Sequence, residues 1–194
     1  LVGNGISIGR AGTTSDASYE QSGGRLEFGA GGNGFTVGET NGSVNVTGGE
    51  IVMLGNVCNN KFNGPAFFRN CLYEFGSIEI NNRERDPRRP PAFTIGEGAV
   101  ITGKPSNAFL RITDGMMLMD GGKTTGQQIQ FNSGAGQVAH MQMNGGSCSV
   151  EYLNLANNAD GISRYIQTGG TFRGSIYLYC SKAQASPVYL EISG

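Results

Sequence analysis

Tyr19-Glu20-Gln21-Ser22-Gly23 returns six times along a chain of 194 residues, changed in its side chains but constant in their type. Its relatives are Val44-Asn45-Val46-Thr47-Gly48, Ile78-Glu79-Ile80-Asn81-Asn82 and Leu110-Arg111-Ile112-Thr113-Asp114. Three more follow: Met141-Gln142-Met143-Asn144-Gly145, Tyr165-Ile166-Gln167-Thr168-Gly169 and Leu190-Glu191-Ile192-Ser193-Gly194. The closing positions lie at 23, 48, 82, 114, 145, 169 and 194, so the spacings are 25, 34, 32, 31, 24 and 25 residues. A period of this size, with loops of varying length, is that of one coil in a stack of about seven.

Each column of the repeat has a physical reading. The first position is large and apolar or Tyr, the third apolar or Gln, and the second mostly charged or amide, with Ile166 the exception. This period of two sends the first and third side chains to a core and the second to water. The fourth column (Ser22, Thr47, Asn81, Thr113, Asn144, Thr168, Ser193) is always a small side chain able to bond a turn's backbone. The fifth (Gly23, Gly48, Asn82, Asp114, Gly145, Gly169, Gly194) holds only residues that tolerate a left-handed backbone. Those seven are the expected corners.

Beyond the corner a second strand keeps one parity: Leu26 and Phe28, Ile51 and Met53, Met117 and Met119, Cys148 and Val150, and Phe172. A third recurs as Ile6-Ser7-Ile8-Gly9, Phe35-Thr36-Val37-Gly38-Glu39 and Phe93-Thr94-Ile95-Gly96-Glu97, with Leu153-Asn154-Leu155 and Ile176-Tyr177-Leu178 as later forms. Nothing has helical periodicity. The 33 glycines disfavour helices and suit a fold of many tight turns. They lack a three-residue period, and a 38% apolar content is too high for a disordered linker. The sequence therefore predicts an all-β, right-handed parallel β-helix, a single solenoid domain over 1–194 with insertions at 56–76 and 83–92. Equivalent strands are expected to stack into flat parallel sheets, so that Tyr19, Val44, Ile78, Leu110, Met141, Tyr165 and Leu190 form one buried ladder.

The runs Tyr-Glu-Gln-Ser-Gly-Gly (19–24), Val-Thr-Gly-Gly (46–49) and Gln-Thr-Gly-Gly (167–170) alternate with Phe-Thr-Val-Gly-Glu (35–39) and Phe-Thr-Ile-Gly-Glu (93–97). This pattern resembles the Gly-Gly repeats of bacterial autotransporter-passenger-like surface proteins, within the wider pectin-lyase-like β-helix group. The likeness covers most of the chain except 56–76 and 83–92. It implies secretion, a long rod and adhesive or display roles. A membrane barrel of the autotransporter kind is not part of the sequence, which leaves the export route open.

A net charge of −1 gives no global attraction to nucleic acid or an anionic membrane, and no apolar run approaches the ~18 residues of a membrane span. The chain opens at Leu1 without a signal peptide and reads as a mature or excised segment. It starts within a strand motif and stops at a corner, so the expectation is either a window from a longer rod or subunits stacked end to end.

Candidate sites are few. The outward column reads Glu20, Asn45, Glu79, Arg111, Gln142, Ile166, Glu191. Glu79 and Arg111 are expected to form a surface ion pair. Glu20 and Glu79, two coils apart, would lie roughly 9–10 Å from each other, at the edge of the separation used by inverting glycosidases. No second feature supports catalysis, and the reading is of a protein that is not an enzyme, with no catalytic, cofactor or metal residues. His140 is expected to face outward, without catalytic partners. The glycines of 29–34 make a turn. The loop Arg83-Glu84-Arg85-Asp86-Pro87-Arg88-Arg89-Pro90-Pro91 is a candidate docking surface through Arg83, Arg85, Arg88 and Arg89. The other is the aromatic insertion with Phe62, Phe67 and Phe68. A disulfide between Cys58 and Cys71 is expected to close that insertion; Cys148 and Cys180 point inward, as buried thiols or as a bridge if their coils touch.

These readings converge on a structural and interaction module of an extracellular or cell-surface rod, filament or adhesin. Its partners are other copies or neighbouring coils, with cell-surface glycans as a further partner, and neither nucleic acid nor a cofactor. The rivals are a carbohydrate-active or glycan-binding β-helix and a phage tail-fibre segment.

Overall fold

The structure is a computed structural model that describes residues 2–3, 5–9, 15–29, 33–38, 41–55, 59–81, 93–104, 108–155, 161–178 and 187–194. Among these there is no helix. The strands in chain order are β1 (Val2–Gly3), β2 (Ile6–Ile8), β3 (Ala17–Phe28), β4 (Asn33–Val37), β5 (Gly42–Met53) and β6 (Asn59–Phe62). They continue with β7 (Ala66–Phe68), β8 (Cys71–Phe75), β9 (Ser77–Asn81), β10 (Phe93–Gly96), β11 (Val100–Gly103) and β12 (Phe109–Asp120). The last six are β13 (Lys123–Phe131), β14 (Val138–Met143), β15 (Ser147–Leu155), β16 (Ile162–Gln167), β17 (Thr171–Leu178) and β18 (Val188–Ile192). Every ladder between them is parallel.

The ladders define a β-solenoid with three faces, which the chain visits in a fixed cycle. On face I the register stacks Tyr19, Val44, Ala66, Phe93, Met117, Met141, Tyr165 and Leu190. Face II stacks Leu26, Ile51, Tyr73, Ile101, Thr124, Cys148 and Phe172. Face III stacks Ile8, Val37, Phe62, Ile80, Ile112 and Phe131, beside a second column of Ile78, Leu110, Ile129, Leu153 and Ile176. The long strands β3 and β5 run through the corner from face I to II, β13, β15 and β17 from II to III, and β12 from III to I. The expected count of about seven coils is close.

Alternation builds the core. In β12 the inward Leu110, Ile112, Met117 and Met119 are buried while Arg111 and Leu118 stay partly exposed. In the first half the interior is filled by rings that meet from different faces. Phe35 lies 5.2 Å from Tyr19 and 5.3 Å from Phe28, and Phe68 stacks on Tyr73 at 5.0 Å. Such pairs add about 0.5–1.5 kcal/mol beyond the area they bury.

Two expectations about the repeat are corrected by the register. The seven matched segments do not form one ladder: Tyr19, Val44, Met141, Tyr165 and Leu190 share face I, whereas Ile78 and Leu110 lie on face III. The true face I ladder spaces its residues by 25, 22, 27, 24, 24, 24 and 25, far more evenly than the sequence alignment. Residues 59–75 are no insertion either. They form β6, β7 and β8, a regular visit to all three faces. The segment 83–92, between β9 and β10, lies outside the described residues.

The corners are displaced by one residue. Gly23, Gly48, Asp114, Gly145, Gly169 and Gly194 do not adopt positive φ, and Asn82 lies outside the described residues. The left-handed residues between faces I and II are Gly24, Gly49, Asn70, Gly98, Gly121, Gly146 and Gly170. Gly48, the first glycine of its pair, answers a different need. A Cβ on Gly48 would lie 2.5 Å from the Ser22 carbonyl oxygen, so close approach of the coil below excludes a side chain there. Asp114, on the III-to-I bend, accepts from Gly115 N at 3.1 Å and Val138 N at 2.9 Å, tying its coil to the next.

Candidate functional site

Of the proposed interaction residues, Arg83, Arg85, Arg88 and Arg89 lie outside the described residues. The aromatic trio divides by parity. Phe62 and Phe68 point inward and are fully buried, and Phe67 alone presents its ring to solvent on face I. Phe62 and Phe68 are thus core residues. Their inward positions in β6 and β7 leave a docking surface only Phe67.

The expected bridge is not formed. Cys71 carries a free, buried thiol at the start of β8, and Cys58 lies outside the described residues. Cys71 occupies an inward position, where a thiol serves as a small apolar side chain. Burial pushes its pKa up to about 11. Cys148 is likewise a free buried thiol, between Thr124 and Phe172 on face II, pushed up to about 12 by burial. Cys180 lies outside the described residues. Neither thiol is an accessible nucleophile.

The faces also separate the carboxylates. Glu20 projects from face I and Glu79 from face III, so the two do not converge on one substrate. Glu79 and Arg111 are neighbours in register, yet no ion pair joins them. The Arg111 guanidinium turns instead to Gln130 Oε1, at 3.4 Å from Nε and 3.3 Å from Nη2, and lies 4.9 Å from the centre of the Phe109 ring. Among the described residues no three His, Cys, Asp or Glu side chains gather as metal ligands.

His140 occupies an outward position on face I, as parity requires, but its neighbours Met116 and Arg164 cover much of it. Its Nε2 is buried without a hydrogen-bond partner. Burial first, and the Arg164 charge second, lower its pKa to about 4. The ring is therefore neutral at physiological pH.

Two features stand out as surfaces. The first is the outward side of face III, where register aligns Phe109, Gln128, Tyr152 and Ser175 beside Arg111, Gln130, Asn154 and Tyr177. Gln130 Nε2 donates to Gln128 Oε1 at 2.9 Å, and the Tyr152 and Tyr177 rings are 5.6 Å apart. Flat aromatic rings beside fixed amides suit the apolar faces and hydroxyls of a sugar. Sequence reading missed this platform because it placed Arg111 in the face I column.

The second is the edge formed by β17 and β18. Leu178, Leu190 and Ile192 continue the inward columns of Leu155, Tyr165 and Gln167, yet they are 54%, 42% and 61% exposed. Among the described residues β17 pairs only with β15 and β18 only with β16, so each keeps a free edge of backbone donors and acceptors. No helix is long and apolar enough to cross a membrane among the described residues.

Comparison with protein families, with curated proteins and with solved structures finds no match for this chain.

Proposed function

We propose that this chain is a structural and interaction module of a secreted or cell-surface bacterial rod, filament or adhesin, which self-associates by stacking coil on coil. The observation that carries the reading is the stack of coils itself, in which equivalent strands pair in parallel from one coil to the next. Coils that pair strand on strand in this way pair equally with coils of the same kind. The Gly-Gly repeats support an autotransporter-passenger-like surface role, and a 15% charged, Ser/Thr/Asn/Gly-rich sequence supports secretion. The separation of Glu20 from Glu79 supports a role without catalysis. Sedimentation velocity and electron microscopy of the full chain test this: rods or filaments growing with concentration are the expected result, and a monomer at all micromolar concentrations overturns it.

The face III platform favours a second reading, glycan binding. Glycan-array binding lost in Tyr152→Ala and Gln128→Ala, with the fold intact, is the expected result. An array blank for the unaltered protein overturns it.

A further inference from the structure

The outward side of face III orders its polar side chains into a hydrogen-bond relay with one direction. Gln128 lies between Phe109 and Tyr152 in one column, and Gln130 between Arg111 and Asn154 in the next. These residues sit on β12, β13 and β15, inside the stack, with β9 on one side and β17 on the other. A guanidinium only donates. Arg111 Nε and Nη2 reach Gln130 Oε1 at 3.4 and 3.3 Å, so that amide must turn its oxygen to Arg111 and its nitrogen the other way. Gln130 Nε2 then donates to Gln128 Oε1 at 2.9 Å. The second amide is fixed in turn, its oxygen engaged and its Nε2 without an acceptor among the described residues. The start of the relay is held as well, because the Arg111 guanidinium lies 4.9 Å from the centre of the Phe109 ring.

The relay therefore ends in a donor beside an apolar ring. Tyr152, next to Gln128 in register, is 38% exposed. Each group that a sugar can present meets this pair differently. An amine brings a donor to a donor, close to the Arg111 charge. A hydroxyl can accept from Nε2 but offers the ring nothing apolar. A carboxylate accepts too, but it also leaves the ring uncovered, and Glu79 stands beside Arg111 in register. An acetamido group supplies both parts, a carbonyl for the donor and a methyl for the ring.

We infer that the face III platform selects an N-acetylated amino sugar, its acetamido carbonyl accepting from Gln128 Nε2 and its methyl lying on Tyr152. Arg111 and Gln130 are positioning residues that set the direction of the Gln128 amide. This inference rests on the glycan-binding reading above and narrows it to one class of sugar. Selection follows because a fixed donor penalises any ligand that leaves it unpaired or opposes it with a second donor.

Calorimetric titration of the full chain at neutral pH tests this with three probes: a tetramer of N-acetylglucosamine, the same tetramer without its acetyl groups, and a tetramer of glucose. The acetylated probe should bind about tenfold more tightly than the glucose probe, and the deacetylated probe most weakly. Two isosteric variants, with circular dichroism confirming each fold, read the direction of the amide. Gln128→Glu puts an acceptor where the donor stood and should reverse the order, so that the deacetylated probe binds tightest. Gln130→Glu still accepts from Arg111 but no longer donates. The Gln128 amide must then turn its Nε2 to the new carboxylate and its oxygen to the ligand, and the preference for the acetylated probe should disappear. A purely structural role would instead weaken all three probes alike. If the acetylated and glucose probes bind equally, if a uronic acid tetramer binds more tightly than the acetylated one, or if the order survives Gln128→Glu, glycan binding stands and the acetamido reading is overturned. The same follows if none of the three binds while other glycans on an array do. If the array is blank as well, both readings fall.

Discussion

Tyr165 donates its hydroxyl to Gln167, two residues further along the same strand, across 2.9 Å. Inside a solenoid such a pair is unusual company for the methionines beneath it, and it braces the corner through the Gly170 carbonyl. Tyr19 and Gln21 make the same brace at the first face I rung. At the intervening rungs the places of Gln21 and Gln167 are filled by Val46, Phe68, Ile95, Met119 and Met143.

Gln167→Ala removes both bonds and should cost about 1–2 kcal/mol. Gln167→Met, which copies the rung below, should cost less because it refills the volume. Urea midpoints of the two variants check the order; equal losses would show that the hydrogen bonds, not the filling, dominate.

Three glycines on the same corner should respond in rising order. Gly23→Ala meets no atom within 4 Å and no positive φ, and should be nearly neutral. Gly24→Ala is equally open but has φ of +73°, which should cost about 1 kcal/mol. Gly49→Ala combines φ of +85° with a Cβ pressed on the Gly24 carbonyl oxygen, and should lose about 3 kcal/mol or more. Thermal melts of the three check the ranking.

Phe67 and Phe68 are adjacent and opposite. Phe68→Ala opens the core between Tyr73 and Phe93 and should lose about 3–5 kcal/mol. Phe67→Ala removes an outward ring and should lose no more than about 1 kcal/mol. Chemical denaturation of both distinguishes a core strand from a loop at this position.

Stability should narrow from both sides of neutral pH. His140 titrates at about 4 when folded and near 6.5 when free, so between these values the unfolded chain binds a proton that the folded one refuses. Its contribution is present above pH 6.5 and lost as pH falls toward 4, on the order of 2 kcal/mol. His140→Gln should flatten that acid limb in melting curves. Cys71 and Cys148 shift the other way, to about 11 and 12 from 9. Their contribution is complete below pH 9 and lost as pH rises through 11 and 12. Cys148→Ala should flatten the alkaline limb.

The sequence by itself determined the class of fold and the approximate number of its coils. Both are local: alternation in Val44-Asn45-Val46 or Met141-Gln142-Met143 decides which side faces the core, and the paired glycines mark where the chain must bend. It could not decide which face a strand joins. Ile78-Glu79-Ile80 and Leu110-Arg111-Ile112 carry the same in-and-out pattern as the face I strands, because all three faces enclose one interior and make the same demand. Face is set by how many residues each corner spends and by which strands lie above and below, and only stacking supplies that. Tertiary structure therefore moved Glu79 away from Glu20, made Phe62 and Phe68 core, and gathered Arg111, Gln130 and Tyr152 on one surface. It also decided the corner residue itself. In the Gly-Gly pairs that end at Gly24, Gly49, Gly146 and Gly170 it is the second glycine that turns left-handed, and both members look alike to a local reading of the sequence.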